Sequence, residues 1–165
     1  MTDNKRKQYL IIGVGRFGSA LAKTLCEMGH EVLAVDASAE RVAAITPYVT
    51  NAIQVAPADE ESMRSLGIRN FDAAVVAIGD DLQNSILMTV LCKEMGARHL
   101  VAKASDAMHA KVLLKLGVDR VVFPERDMGE RIARSMVNPH MLDLINLPSG
   151  YQISYISCPD TWKER

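Results

Sequence analysis

Short apolar runs alternate with segments of helical spacing along most of the chain, and this alternation restricts the fold more than any other feature. The apolar runs are nearly continuous, which is typical of parallel strands buried on both faces. They predict six strands, at 9–12, 31–35, 52–55, 73–78, 99–103 and 120–123. The segments between them predict helices at 17–28, 39–46, 60–66, 82–95 and 107–116. The sequence therefore predicts an α/β fold in which a doubly wound, six-stranded parallel sheet carries helices on both faces.

Size, charge and cysteine content exclude several classes of protein. The 165 residues are 48% hydrophobic and 24% charged, which suits one globular domain with a buried core. Nineteen basic and twenty acidic residues give a net charge of -1, and this balance argues against nucleic acid as a partner. The three cysteines, Cys26, Cys92 and Cys158, are widely spaced, so neither a disulfide framework nor a zinc site is expected.

The sequence also lacks the patterns that direct a chain into a membrane. The polar start at 1–7 leads into a short apolar run and then a glycine loop, so no signal peptide is expected. No uninterrupted apolar stretch approaches the ~20 residues that a helix needs to cross a bilayer. We therefore expect a cytoplasmic protein with no direct membrane insertion.

A glycine-rich loop follows the first predicted strand. Gly13, Gly15 and Gly18 match the dinucleotide-binding fingerprint: the first allows a tight turn, the second a close approach to pyrophosphate, and the third helix packing. The free amides of the following helix would point at the phosphates. Asp36 closes the second strand 18 residues after Gly18, close to where an acid meets a ribose 2′-hydroxyl. The combination predicts a Rossmann-like nucleotide site rather than glycines that serve turns alone.

Two charged residues refine the expected ligand. A carboxylate at Asp36 disfavours a 2′-phosphate, so the sequence favours NAD(H), ATP, ADP or AMP over NADP(H) without choosing among those. Arg16 lies in the first turn of the helix, where a cation is unfavourable unless an anion is nearby. It either meets a bound phosphate or is a solvated arginine.

Further polar residues follow the strands at the edge where open parallel sheets bind ligands. Lys103 can balance phosphate charge and Glu125 can hold a divalent cation, although either can instead form a plain ion pair. Asp80 and Asp81 are expected to cap the helix at 82–95 rather than bind metal. None of the four histidines has a partner spacing typical of a proton relay, so the sequence does not predict an enzyme.

The pattern changes after the sixth strand. A helix is predicted at 127–137, and a second apolar cluster follows at 141–147. The apolar face of this helical arm must be buried, either against a second copy of the chain or by folding back on its own sheet. The alternation at 151–157 predicts one half-buried strand, which we expect to open a second, truncated domain.

The chain resembles a known family in five segments: GVGRFG at 13–18, GHEVLAVD at 29–36, LGIRNF at 66–71, AIG at 77–79 and PERDMG at 124–129. Over about 140 residues it is similar to the RCK domain, also called the TrkA N-terminal domain. Within that family it is most similar to the KtrA/KtrC-type cytosolic regulatory subunits of bacterial potassium uptake systems. The last segment is the most specific of the five.

The resemblance implies a regulatory subunit rather than an enzyme. Such subunits bind adenine nucleotide, form homodimers and then an octameric ring, and gate an integral-membrane potassium-translocating subunit. The implied organisation is a polar tail at 1–7, a nucleotide-binding domain at 8–125, crossover helices for dimerisation at 126–147 and a truncated C-terminal domain at 148–165.

The resemblance also implies which residues hold ATP or ADP. The glycines take the phosphates, Asp36 takes the ribose, and Arg16 reaches a phosphate of the same nucleotide or of the neighbour's. Lys103 and Glu125 flank the site near the subunit contact, Glu125 as a ligand of a divalent cation. The expected cofactor-binding set is Gly13, Gly15, Arg16, Phe17, Gly18, Asp36, Ala37, Ala56, Ala58, Ile78, Gly79 and Lys103.

One segment departs from the family pattern. After the third strand the chain has APAD at 56–59, where the family usually has Gly-Asp-Ala-Thr or Asn-Ala-Thr. The alanines offer adenine no side-chain hydrogen bonds, which leaves backbone contacts to hold the base. Two other functions therefore stay open, an NAD-dependent oxidoreductase fragment and a sensor of the NADH/NAD+ ratio.

Overall fold

The computed structural model of the chain describes residues 5–56, 59–137, 141–146 and 152–156, the last two ranges as backbone. The chain divides into two compact units, Met1–Phe123 and Pro124–Arg165. Among the described residues, none of the helices combines the length and the apolar character that crossing a bilayer requires.

Strands and helices alternate through the described residues of the first unit. The strands are β1 Gln8–Ile12, β2 Glu31–Asp36, β3 Asn51–Gln54, β4 Ala73–Val76, β5 Leu100–Lys103 and β6 Arg120–Val122. The helices are α1 Arg16–Glu27, α2 Ala39–Ile45, α3 Glu60–Ser65, α4 Leu82–Glu94 and α5 Ala107–Lys115, with short 3-10 turns at Thr46–Tyr48 and Ile68–Asn70. Every strand and helix predicted for this unit is present, with ends shifted by no more than two residues.

The six strands form one parallel sheet in the order β3-β2-β1-β4-β5-β6. The first half of the sheet grows in one direction from β1 and the second half in the other, so β1 and β4 are neighbours at the centre. This arrangement confirms the predicted Rossmann-like, doubly wound sheet. It also leaves a crevice between the connections that follow β1 and β4, because those connections cross to opposite faces.

Two apolar layers cover the sheet, one on each face, because successive strand side chains point to opposite sides. In β1, Leu10 and Ile12 join the layer that contains residues of α4 and α5, whereas Ile11 joins the layer that contains residues of α1. Met88 and Leu113 are buried helical residues of the first layer. Burial on both faces explains why the strands are continuously apolar in sequence.

The helices of the first unit differ at their N-termini. The side chains of Ser38, Asp59, Asp81 and Asp106 accept backbone N–H bonds of 2.8–3.3 Å at the starts of α2, α3, α4 and α5. Helix α1 begins after Gly15, which has no side chain to cap it, and its first turn carries no acidic residue. The first amides of α1 therefore lack the side-chain acceptors that the other four helices have.

The second unit contains the helix α6 Pro124–Val137 and an antiparallel pair of strands, β7 Met141–Asn146 and β8 Gln152–Ile156. The predicted helix at 127–137 is present and begins earlier, at Pro124. The predicted strand at 151–157 is present as β8.

The expectation that crossover helices extend to residue 147 is wrong for 141–146, which form β7. The segment instead pairs with β8, which gives partners to the main-chain groups on one side of the strand. The apolar cluster was consistent with either structure, because periodicity does not separate a short buried helix from a short strand.

Candidate functional site

A cavity of about 380 Å³ opens at the carboxyl ends of the strands, where β1 and β4 are neighbours. This is the point at which open α/β sheets bind ligands, and the volume lies in the range of small-molecule sites. Nine of the twelve residues expected to bind cofactor line it: Gly13, Gly15, Arg16, Phe17, Asp36, Ala37, Ile78, Gly79 and Lys103.

The turn after β1 depends on Gly13. Its φ is +92°, a left-handed conformation that side chains disfavour. A Cβ at this position would lie 3.0 Å from Cγ1 of Ile78 and 3.2 Å from the carbonyl carbon of Ala77. The Gly13 amide donates to the carbonyl of Val35 at 2.8 Å, which ties the turn to β2. The chain therefore folds tightly over the sheet edge and leaves the cavity open.

The N-terminus of α1 faces this cavity. The N-cap residue Gly15 and the first two residues of the helix, Arg16 and Phe17, line the cavity, and a Cβ at Gly15 would meet no heavy atom within 4 Å. The uncapped amides and the positive end of the helix dipole therefore border open space. Arg16 is exposed and adds a full positive charge. The arrangement attracts an anion such as a phosphate.

Gly18 does not line the cavity. It is buried in α1, and a Cβ there would overlap the carbonyl oxygen of Gly13 and lie 3.1 Å from Cβ of Ala77. The residue thus permits α1 to pack closely against the loop and β4. Its position fits the packing function of the fingerprint rather than a direct contact with phosphate.

Asp36 closes β2 and joins three segments around the cavity. Its side chain is 7% exposed. Oδ2 accepts from the amide of Val14 and Oδ1 from the amide of Ser38, both at 2.8 Å. Nη1 of Arg41 lies 3.8 Å from Oδ2. Because an ionised carboxylate has about four acceptor positions, these two amide bonds leave acceptor capacity for ligand hydroxyls.

Gly79 and Lys103 are in contact at the ends of β4 and β5, on the other side of β1 from Asp36, which ends β2. A Cβ at Gly79 would lie 2.7 Å from Nζ of Lys103 and 2.9 Å from its Cε. The Lys103 side chain therefore runs across Gly79 and occupies the space that a side chain at position 79 would take. Both residues line the cavity, so the missing side chain sets where the ammonium lies.

The segment after β3 contributes less than expected. Ala56 is exposed and does not line the cavity, and its carbonyl accepts from the amide of Asp59 at 3.0 Å. Ala58 lies outside the described residues. Val55 and Met63 line the cavity instead, and they give this side an apolar surface.

Other lining residues are not in the set expected from the sequence. They are Ile12, Val35, Arg41, Val55, Met63, Ala77, Asp80, Asp81, Asn84 and Met88. Arg41 and Asn84 lie in the first turns of α2 and α4, so the signal that could identify them is a polar residue in the first turn of a helix that follows a strand. Asp81 caps α4, as expected, by accepting from the Asn84 amide at 2.9 Å.

The described lining carries three cationic side chains, Arg16, Arg41 and Lys103, and three carboxylates, Asp36, Asp80 and Asp81. Hydrogen bonds from main-chain amides already engage two of these carboxylates, Asp36 and Asp81. A ligand with both an anionic part and hydroxyl groups matches this mixture better than a purely apolar one.

Glu125 lies in the first turn of α6, within the second unit. In the part of the chain that the structure describes, no three His, Cys, Asp or Glu side chains are grouped so as to hold a metal ion. The cation site at Glu125 stays a prediction.

Comparison with known proteins identifies relatives over most of the chain. The TrkA-N domain family matches residues 9–124. The chain is 46% identical over 149 residues to Ktr system potassium uptake protein A of Bacillus subtilis (strain 168), covering 90% of this chain and 67% of that protein. It is 40% identical over 148 residues to Ktr system potassium uptake protein C of the same organism, with the same coverage.

Solved structures share the fold at lower identity. The NAD(P)-binding domain of an exopolyphosphatase-related protein from Archaeoglobus fulgidus has a TM-score of 0.70 and 22% identity, covering 80% of this chain and 98% of that one. The GsuK structure bound to ADP has a TM-score of 0.65 and 15% identity, covering 85% and 37%. The GsuK channel bound to NAD has a TM-score of 0.63 and 15% identity, covering 93% and 28%. From the family match and the identity to the Ktr proteins, we conclude that the chain belongs to the TrkA-N domain family.

Proposed function

We propose that the chain is a cytoplasmic regulatory subunit that binds ATP or ADP and gates a membrane potassium transporter or channel. One observation carries the nucleotide part. The uncapped N-terminus of α1 opens on a cavity beside the buried carboxylate of Asp36. The names of the Ktr relatives, proteins of potassium uptake systems, support the transport part.

The cavity accommodates the three parts of an adenine nucleotide in order. The phosphates bind at the amides of α1, with Arg16 and Lys103 balancing their charge. The ribose hydroxyls donate to Asp36, which retains acceptor capacity after its two amide bonds. The base packs on apolar side chains such as Val55 and Ile78, and backbone groups supply its hydrogen bonds.

Discrimination between ATP and ADP is proposed to come from Arg16. Both nucleotides fill the same cavity, but only ATP carries a γ-phosphate for the guanidinium to bind, in the same subunit or in its neighbour. A ligand shifts a conformational equilibrium only by its differential affinity for the two states. The extra charge-assisted contact is the source of that difference.

Assembly is proposed to involve α6, as a homodimer contact and then in an octameric ring. Its exposed apolar residues are Met128 at 50%, Ile132 at 51%, Met136 at 77% and Val137 at 84% exposure. Contiguous exposed apolar surface is typical of an interface between chains. Glu125, in the first turn of the same helix, is proposed to bind a divalent cation at this subunit contact.

A second candidate is a sensor of the NADH/NAD+ ratio. It is favoured because GsuK, which shares the fold, has been solved both with ADP and with NAD. An NAD-dependent oxidoreductase fragment would use the same cavity. We favour a binding function without catalysis, because the relatives of high identity are named for potassium uptake.

Calorimetric titration with ATP, ADP, AMP, adenosine, NAD+, NADH and NADP+ tests the proposal, at one salt concentration and with and without Mg²⁺. ATP and ADP should bind more tightly than the dinucleotides, affinity should fall as phosphates are removed, and NADP+ should bind more weakly than NAD+. Tighter binding of NADH than of ATP would instead support the redox-linked functions. Equal affinity for adenosine and ATP would exclude the phosphate site.

A variant pair at Gly15 locates the phosphates. The backbone there is extended and open, so a side chain fits without strain. Gly15→Asp places a carboxylate before α1, where it should cap the helix and abolish nucleotide binding. Gly15→Ala, the size control, should retain most of the affinity. Wild-type ATP affinity in the aspartate variant would contradict the assignment.

A further inference from the structure

A buried imidazole connects two segments of the cavity wall. His109 lies in the first turn of α5 and is 2% exposed. Its Nε2 lies 3.1 Å from Oγ of Ser85 in α4, and the backbone amide of Ser105, in the turn after β5, lies 3.2 Å from its Nδ1. Ser85 itself is fully buried. The ring therefore has a partner on each side and little contact with solvent.

The partners determine which nitrogen carries the proton. The Ser105 backbone amide can only donate, so Nδ1 must be the unprotonated acceptor. The proton of the neutral ring then lies on Nε2, which donates to the Ser85 hydroxyl. A second proton, on Nδ1, would face the N–H of Ser105 and remove its acceptor, and only the Ser105 hydroxyl, 3.2 Å from Nδ1, would then accept from this nitrogen. The bond from the Ser105 main-chain amide therefore requires the neutral imidazole.

Both bridged segments border the cavity. Ser85 follows the lining residue Asn84, and the lining residue Met88 lies one turn later in α4. On the other side, Ser105 lies two residues after Lys103, which closes β5 and also lines the cavity. His109 thus spans from the α4 wall to the segment that carries the lysine.

We propose that neutral His109 is a positioning residue that holds the α4 wall and the Lys103 segment at a fixed spacing, and that its protonation loosens the ligand site. The part that concerns ligand affinity rests on the proposed nucleotide function; the bridge itself does not.

Burial of the ring favours its neutral form at physiological pH. Burial lowers the pKa of His109, and the nearby carboxylate of Asp106 opposes this effect. Asp106 accepts from the His109 main-chain amide at 2.8 Å, whereas α4 presents the neutral hydroxyl of Ser85 and the turn presents Ser105. Because the pKa is lowered, protonation occurs only on acidification, and the bridge is intact at neutral pH.

Hydrogen exchange of the complete chain tests the bridge without any ligand. Segments 80–88 and 103–107 are compared at about pH 7.5 and at a lower pH at which the NMR signal of the His109 ring shows that it is protonated, after correction for intrinsic exchange. In the wild type, both segments should lose protection together at the lower pH. His109→Asn supplies an acceptor for Ser105 but has no titratable ring, so it should lack this pH dependence. Ser85→Ala should loosen 80–88 while the ring still titrates.

ADP affinity, measured at the same two pH values, tests the consequence for the ligand. His109→Asn has no titratable ring, so any loss of its affinity at the lower pH reports the titration of ADP itself. The wild type should lose about fivefold more ADP affinity than this variant between the two pH values. Ala110→Gly, a neighbouring change in α5 that leaves the bridge intact, controls for helix stability.

The outcomes separate the two proposals. Equal pH dependence of exchange in the wild type and in His109→Asn overturns the bridge. If Ala110→Gly, in which the histidine is intact, lost the wild-type pH dependence of ADP affinity as His109→Asn does, positioning by His109 would be overturned and only a contribution to helix stability would remain. If the wild type binds no nucleotide at either pH, the proposed function fails, and hydrogen exchange still decides whether the bridge responds to protons.

Discussion

A missing side chain at Gly79 decides where the ammonium of Lys103 lies. The lysine occupies the volume that a Cβ would take, and its terminal atoms are the nearest contacts. A substitution there meets a flexible side chain rather than backbone. A substitution at Gly79 or Lys103 is therefore expected to leave the sheet undisturbed. Such variants can change ligand affinity without changing folding stability.

Gly79→Ala should displace the Lys103 ammonium and weaken ATP binding about as much as Lys103→Met does. Its free energy of unfolding should change by less than about 1 kcal/mol, because no core contact is lost. The double variant should bind ATP no more weakly than either single variant, since both remove the same interaction. Calorimetry and urea unfolding measure the two quantities, and additive losses would contradict the coupling.

Residues in the same sequence motif proved to have different positions. Gly15 borders the cavity, whereas Gly18 lies beneath the loop and does not. The fingerprint predicts a glycine at both positions, but it does not predict which one borders the cavity and which one packs against the loop. Arg41 shows the opposite case: it lies outside the fingerprint, in the first turn of the helix after β2, yet its Nη1 lies 3.8 Å from Oδ2 of Asp36.

At the scale of elements, α1 combines an uncapped N-terminus with a basic first residue. Arg16→Glu should raise the free energy of unfolding by about 0.3–1 kcal/mol, because an acid is favourable at this end of the helix dipole. The same change should abolish ATP binding, because it replaces a cation with an anion beside the phosphates.

Arg16→Gln is the matched control for that prediction, since it removes the cation without adding an anion. It should lie between the wild type and the glutamate variant in both measurements, thermal unfolding and ATP titration. It should also weaken ATP binding more than ADP binding. Equal losses for the two nucleotides would exclude Arg16 as the residue that distinguishes them.

Helix α6 carries the assembly prediction. Ile132→Asp places a charge in the exposed apolar stripe and should shift the chain from an oligomer toward the monomer in light scattering. Arg134→Gln changes the net charge of the same helix by the same amount, but at a position paired with Glu130 at 3.3 Å. It should leave the mass unchanged. An unchanged mass in both variants would contradict an interface at α6.

The whole molecule determines the reactivity of Cys92. The thiol is fully buried between α4 and the sheet, and burial raises its pKa to about 12. At about pH 8 only about one thiol in ten thousand would be ionised even if reagent reached it. Iodoacetamide should therefore label the half-buried Cys26 in the native protein and label Cys92 only when the fold opens.

Bound nucleotide should slow the labelling of Cys92 further. At a hundredfold excess of ADP over its dissociation constant, the opening equilibrium should fall by about a hundredfold, equivalent to about 2.7 kcal/mol. Peptide mapping by mass spectrometry follows each cysteine separately, and labelling in urea shows that Cys92 reacts once unfolded. Labelling of Cys92 as fast as Cys26 in the native protein would contradict the prediction.

Sequence alone determined the order of elements in the first unit, the sheet type and most of the cavity. These features depend on local patterns: continuous apolar runs require burial on both faces, and a glycine loop between strand and helix restricts the backbone directly.

Three features needed the tertiary structure. The segment 141–146 became a strand because β8 offered it a hydrogen-bonding partner, which its own periodicity does not reveal. Lys103 lies over Gly79, and His109 contacts Ser85, because packing brings together residues that are 24 positions apart in sequence. Such contacts depend on how helices and strands pack against one another, and the periodicity of a single sequence does not specify that packing.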